Sequence, residues 1–178
     1  EERTVGPDLG EDSIKSGTTS LIIGFFLVIA FMFFKYRVFG FIANISLIAN
    51  LLMLIGVLTL LEATLTLPGI AGIILTVGMA VDSNVLIFER IKEELKTEKS
   101  IIHAFDIGYK RAKITVLDAN ITTLIAAIIL FAFGSGPVKG FAVTLGIGII
   151  TTLYSAYFIA RHLTSWIVLR NKEGRVSL

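Results

Sequence analysis

The sequence predicts an all-α membrane protein, a polytopic bundle of five transmembrane helices with its N-terminus outside and its C-terminus inside. Three observations lead to this fold class. The 178 residues are 54% hydrophobic and only 17% charged, with a mean hydropathy of +0.83, which is the composition of a multi-span membrane protein. The apolar residues come in long runs without alternation, each near the ~20 residues a helix needs to cross ~30 Å of hydrocarbon, and this argues against barrel strands. Lys and Arg are also unevenly shared. With the N-terminus outside, thirteen fall on the inner side and only Arg3, Lys15 and Lys139 on the outer, as the positive-inside rule requires.

Taken in order, residues 1–17 read as a polar juxtamembrane linker on the periplasmic side, with turn signals at Gly6-Pro7 and Leu9-Gly10. The opening Glu1-Glu2-Arg3-Thr4 has neither an initiator Met nor a signal-peptide pattern, so the chain is read as part of a longer polypeptide. The spans cover about 18–34, 38–61, 67–88, 114–133 and 138–160. Lys35-Tyr36-Arg37 ends the first and Glu62 the second. Pro68 opens the third, where its missing N–H costs nothing in a first helical turn. Arg161-His162 ends the fifth. The outer turns, Ala63–Leu67 and Gly134–Pro137, are short and predict antiparallel neighbours.

On the inner side, Ser100 is a candidate cap for a helix over 100–113. His103, Asp106, Lys110 and Lys113 share its polar face, and Ile101, Ile102, Phe105 and Tyr109 its apolar one. Such a helix either lies on the inner membrane surface or packs on the ends of the bundle. The segment 164–178, which contains Trp166, reads as a cytoplasmic tail, interfacial at first and then basic.

The chain contains no cysteine, which excludes disulfides and thiolate metal sites. Its two histidines, His103 and His162, are far apart, and no nucleophile–base pair or phosphate loop is present. The expectation is therefore a protein that is not an enzyme and uses no metal or cofactor, with membrane lipid rather than nucleic acid around it.

Asp82 carries the functional expectation. It lies inside the third span, ~10 Å from the inner charged end and ~20 Å from the outer one at 1.5 Å per residue. A charged residue at the centre of a span costs roughly 2.5–3.5 kcal/mol on insertion scales, so Asp82 must face the bundle, a partner or a water-filled cavity. A carboxyl so placed can serve a proton relay; the plainer alternative is a protonated acid acting as interhelical glue. Ser83 and Asn84 follow at about 100° steps and widen the polar sector.

The fourth span adds Asn120 and Thr123, and Thr144 comes from the fifth; with the Asp82 group these are the expected proton pathway. The fifth span also carries a stripe in which Gly140, Gly148, Thr152 and Ser155 join Thr144, read first as close helix packing. Asn44 and Asn50 are read as packing polars. Asp118 is a possible secondary acid, half-solvated, paired or in the relay, with pairing to a basic residue of the inner loop preferred. No Lys or Arg lies deep in any span, so a cationic partner for Asp82 has to come from elsewhere.

The block Gly78-Met-Ala-Val-Asp82-Ser83-Asn84-Val-Leu-Ile-Phe-Glu89-Arg90-Ile-Lys-Glu-Glu-Leu95 closely resembles the fourth transmembrane segment of SecD-type chains in the SecD/SecF protein-export family. The resemblance continues through 5–14, Asp118–Leu124 and Phe133–Leu145, and covers essentially the whole chain. It implies the C-terminal membrane half of such a chain and a fold of the resistance–nodulation–division type, in a bacterial cytoplasmic (inner) membrane. It also implies SecF as a pseudo-symmetric partner, the Sec translocon with its accessory subunits beside it, and a preprotein handled by a periplasmic domain preceding this segment. The implied role is coupling of the proton motive force to late steps of export, with the family's proton-pathway acid falling on Asp82. Multidrug pumps of the superfamily have two successive acids there; Asp82-Ser83 departs from that pattern. The alternative role is a scaffold that docks SecF and the translocon without carrying protons.

Overall fold

The computed structural model describes residues 7–97 and 100–170, with side chains described from Glu11 onward. Its order is α1 (Pro7–Leu60), α2 (Leu67–Glu94), α3 (Ile101–Phe133), α4 (Pro137–Tyr154), a π-helical turn (Ser155–Ala160) and α5 (Arg161–Arg170). Among the described residues there is no strand, and four helical stretches are long and apolar enough to cross a membrane.

The first of these, α1, is 54 residues long but is not a single rod. Arg37 has φ 46° and ψ −111°, a backbone conformation that L-residues other than glycine rarely adopt. The chain reverses there. Asn44 Nδ2 donates to the carbonyl of Ile29 at 3.1 Å, placing positions about equally far from Arg37 side by side on antiparallel limbs. Gly40 makes the reversal possible, since a Cβ at this position would overlap the Met32 carbonyl oxygen. Strain of this kind, of order 1–3 kcal/mol, needs surrounding structure to hold it. Tyr36 and Phe39, both buried, supply it by packing their rings 5.8 and 5.4 Å from Phe88 of α2. The Tyr36 hydroxyl also donates to Glu89 Oε1 at 2.9 Å. Burial, then the adjacent Glu89 carboxylate, pushes that hydroxyl's pKa up to about 12, so it remains a donor throughout the physiological range.

α2 is the centre of the molecule and packs against α1, α3 and α4. Thr66 caps it, its Oγ1 accepting from the Gly69 N–H at 3.1 Å, and Pro68 occupies the first turn as expected. Against α4 the contact is glycine into threonine. Gly69 and Gly72 face Thr144 with virtual Cβ distances of 3.3 Å, Gly140 faces Thr66, and Gly148 faces Thr76. The threonine hydroxyls do not bridge the helices here; Thr76 and Thr144 return theirs to the carbonyls of Gly72 and Gly140. Close van der Waals packing holds this seam. Further along, Asn50 Nδ2 of α1 donates to Thr152 Oγ1 and Ser46 Oγ to the Ser155 carbonyl, both at 3.1 Å and buried. Gly140, Gly148, Thr152 and Ser155 thus each meet a residue of α1, of α2 or of the α2 cap.

α3 lies on the far side of α2 and α4 from α1, with only 17% of its most apolar window buried. It corrects one expectation. The segment 100–113 is not a separate surface helix; it runs straight into 114–133 as one helix of 33 residues. From Lys110 to Phe133 there is no Gly or Pro to break it. Ser100 takes the cap position, although its side chain makes no capping bond. The apolar face of the early turns packs inward, where Phe105 and Tyr109 join Tyr36, Phe39, Phe88 and Ile91 in the largest core cluster. Gly108 lets α3 approach α2 until a Cβ would stand 2.8 Å from the Ile91 Cα. Arg111 reaches back 2.6 Å to the buried carboxylate of Glu94.

At the ends, the turn expected at Leu9-Gly10 lies inside a helix that starts at Pro7, and within 164–178 helix runs as far as Arg170. Residues 1–6 and 171–178 lie outside the described residues.

The hairpin at Gly40 gives a stability test. Gly40→Ala should destabilise the protein by about 1–3 kcal/mol, as overpacking against fixed backbone does. Gly56→Ala, where a Cβ meets nothing within 4 Å, should be neutral or slightly stabilising. Thermal unfolding in detergent of the two variants beside the parent checks this; equal midpoints for both would contradict the hairpin geometry.

Candidate proton-carrying groove

Six positions were expected to form a pathway, and the structure brings four of them together. Asp82, Ser83 and Leu86 of α2 face Val116, Asn120 and Thr123 of α3 across a groove of about 150 Å³. The helix register explains the arrangement. Asp82 and Leu86, four apart, open outward, while Ser83 is buried toward α3. Asn120 and Thr123 are three apart on the facing side of α3.

Most of these polar groups are tied to their own helix. Ser83 Oγ donates to the Met79 carbonyl at 2.8 Å, Thr123 Oγ1 to that of Ala119 at 3.0 Å, and Asn120 Nδ2 to that of Val116 at 2.8 Å. Both hydroxyl donors are therefore occupied, while Asn120 keeps a second amide N–H beyond the one it gives to Val116. Asn120 Oδ1 is buried without a hydrogen-bond partner. Asp82 is exposed and makes no hydrogen bond or ion pair among the described residues. Beside it, Gly78 also has open space where a Cβ would stand, and Leu75 and Leu86 of the same helix are exposed.

The other two positions lie elsewhere. Asn84 is buried but does not line the groove. It donates to the Ala80 carbonyl at 3.1 Å, and its Oδ1 is unpartnered within the bundle. Thr144 sits in the α2–α4 seam opposite Gly69 and Gly72. Gly72 is ten residues from Asp82, roughly 15 Å along the helix, so Thr144 is a packing residue and not a member of this groove.

The preferred reading of Asp118 also needs correction. The residue is exposed and has no ion pair among the described residues. The basic side chains near it are engaged elsewhere, Arg111 with Glu94 and Lys113 over the Tyr157 ring at 6.0 Å. Asp118 stands on the uncovered side of α3, where Ile114, Ile121 and Ile125 are also exposed. Sequence reasoning missed the π-helical turn and the Tyr36–Glu89 bond. The first has no local signature, and the second joins residues 53 apart.

Comparison with known proteins agrees with this architecture. The family described as "Protein export membrane protein SecD/SecF, C-terminal" matches residues 1–170. The chain is 52% identical over its whole length to the protein translocase subunit SecD of Magnetococcus marinus, covering 34% of that protein. To the SecD subunit of Rhodothermus marinus it is 54% identical over 97% of the chain and 28% of the relative. It thus spans about a third of the length of these relatives. The crystal structure of SecDF, a translocon-associated membrane protein from Thermus thermophilus, superposes with a TM-score of 0.90 at 42% identity. That match covers 94% of this chain and 23% of the SecDF chain. With the family matched over nearly all its residues, the chain belongs to the SecD/SecF C-terminal family of protein-export membrane proteins.

Proposed function

We propose that this chain is the proton-carrying half-site of a Sec protein-export machine in the bacterial cytoplasmic membrane, and that it couples proton flow to late steps of preprotein translocation. The observation that carries the reading is Asp82, an unpaired acid midway along α2 on an uncovered face beside the Asn120–Thr123 groove. In this reading a partner of the SecF type covers that face and contributes the cationic group that this chain lacks deep within its spans. A proton reaching Asp82 from the outer side neutralises the carboxylate and frees the partner's cation. Release of that proton to the inner side restores the pair. The two states differ in what crosses the interface, which is what a coupled movement requires.

Five segments cross the membrane in this proposal, because the reversal at Arg37 makes two antiparallel spans of α1, with the N-terminus outside and the C-terminus inside. The unequal distribution of Lys and Arg supports that orientation. The chain's own work is transport and not catalysis.

A scaffold reading is favoured by one observation, the largely uncovered apolar surface of α3 around Ile121, Ile125 and Ile128, which suits docking alone. The two readings separate at Asp82. In the full-length protein with its partner, Asp82→Asn should leave assembly intact and abolish the proton-driven component of preprotein export into vesicles. Undiminished proton-dependent export by that variant would leave only the scaffold. Orientation has its own check, made easier because the chain has no native cysteine. Ser135→Cys should react with an impermeant thiol reagent on intact cells and Ser100→Cys only after permeabilisation; the reverse pattern would refute the topology.

A further inference from the structure

Away from the Asp82 groove, the α3–α5 end of the bundle holds a cavity of about 490 Å³ lined by Lys113, Tyr157, Phe158, Arg161, His162 and Ser165. Lys113 comes from α3, and the rest from the π-helical turn and the start of α5. The Tyr157 hydroxyl donates to the Lys113 carbonyl at 3.1 Å and ties the two walls together.

The charge balance of this cavity is positive. Among the described residues Asp106 is the one carboxylate paired with a lining cation; it lies 3.8 Å from Arg161 and is held at 2.8 Å by Lys110. Two cations thus share one anion, and Lys113 has no ion pair among the described residues. His162 Nδ1 lies 2.6 Å from the Phe158 carbonyl, which can only accept, so Nδ1 carries the hydrogen and Nε2 is left free. The Ser165 hydroxyl makes no hydrogen bond among the described residues.

Beside this polar lining runs an apolar flank. Phe158 stacks on Tyr154 with ring centroids 4.9 Å apart; both are about half exposed, and Ile114 is 66% exposed. Trp166, with Arg170 5.4 Å from its ring, lies one turn beyond, an arrangement suited to a membrane interface. An occupant that satisfies both surfaces needs an anionic head that accepts hydrogen bonds and apolar chains that leave along the helices. A free anion would leave the flank unused.

We propose that this cavity binds the headgroup phosphate of an anionic phospholipid of the inner leaflet, with Lys113, Arg161 and Ser165 at the phosphate and the acyl chains along Tyr154, Phe158 and Ile114. The inference rests on the membrane orientation proposed above. It assigns the site a positioning role, tying α3 at Lys113 to the π-helical turn and the start of α5.

The test uses the full-length protein with its partner in detergent, given equal amounts of phosphatidylglycerol and phosphatidylcholine, with retained lipid read by native mass spectrometry. The parent should retain phosphatidylglycerol preferentially. The double variant Lys113→Gln/Ser165→Ala should lower that preference about tenfold, the scale expected for losing basic contacts to an anionic lipid. Lys139→Gln, on the opposite side of the bundle, should not change it. Size-exclusion profiles and co-purification of the partner establish that each variant is folded. An unchanged preference in the double variant overturns the proposal, as does complete displacement of the lipid by excess inorganic phosphate, which would mark a free-anion site. Failure of the orientation is read separately from the thiol labelling, and failure of proton coupling from Asp82→Asn.

Discussion

The close approach of α2 and α4 is the constraint on which the rest of the structure depends. Gly140 and Gly148 accept Thr66 and Thr76, while Gly69 and Gly72 accept Thr144, so contacts of one kind run from the α1–α2 turn toward the middle of the bundle. In hydrocarbon there is no hydrophobic force to bring helices together, and association relies on packing and on the few polar bonds available. Once α2 is fixed along α4, its remaining faces are assigned. One takes the α1 hairpin through Phe88, Tyr36 and Phe39, and another takes α3 through Ile91 and Gly108. The face left over is the one that carries Asp82.

That remainder gives the acid its meaning. Inside a fully covered bundle, Asp82 would be satisfied locally and fixed in one state. Here Ser83 and Thr123 spend their hydroxyls, and Asn120 one of its two amide hydrogens, on their own helices, and none of the three bonds Asp82. In the proposed reading, another polypeptide completes the surroundings of this acid. Asp118, exposed on the uncovered side of α3, marks a second place where this chain presents an acid outward.

Much of this was legible in the residues. Lys35-Tyr36-Arg37 marked the reversal, Pro68 the start of α2, and the spacing of Gly140, Gly148, Thr152 and Ser155 the packing face of α4 and the turn after it. The depth of Asp82 and the absence of a cation deep in any span remain the basis of the proposal that its site is finished elsewhere. The misreadings have physical causes. The charged cluster Lys110–Lys113 resembles a helix end, yet a helix without Gly or Pro continues through it, because Arg111 is neutralised by the buried Glu94 on α2. Thr144 shares a face with Thr152, but sequence spacing does not fix depth against another helix, and it lies opposite the outer half of α2. The π-helical turn depends on tertiary contacts such as Ser46 Oγ with the Ser155 carbonyl, which join residues 109 apart.

The central claim is that the surroundings of Asp82 are completed by another polypeptide. The most direct measurement is the infrared carboxyl band of Asp82, identified as the band lost in Asp82→Asn, recorded for the full-length protein alone and bound to its partner. The account predicts that the band shifts or changes intensity when the partner binds, because the acid then gains a cation and new hydrogen-bond donors. An identical band in the two samples would show that Asp82 has its full complement of interactions within its own chain, and would contradict the account.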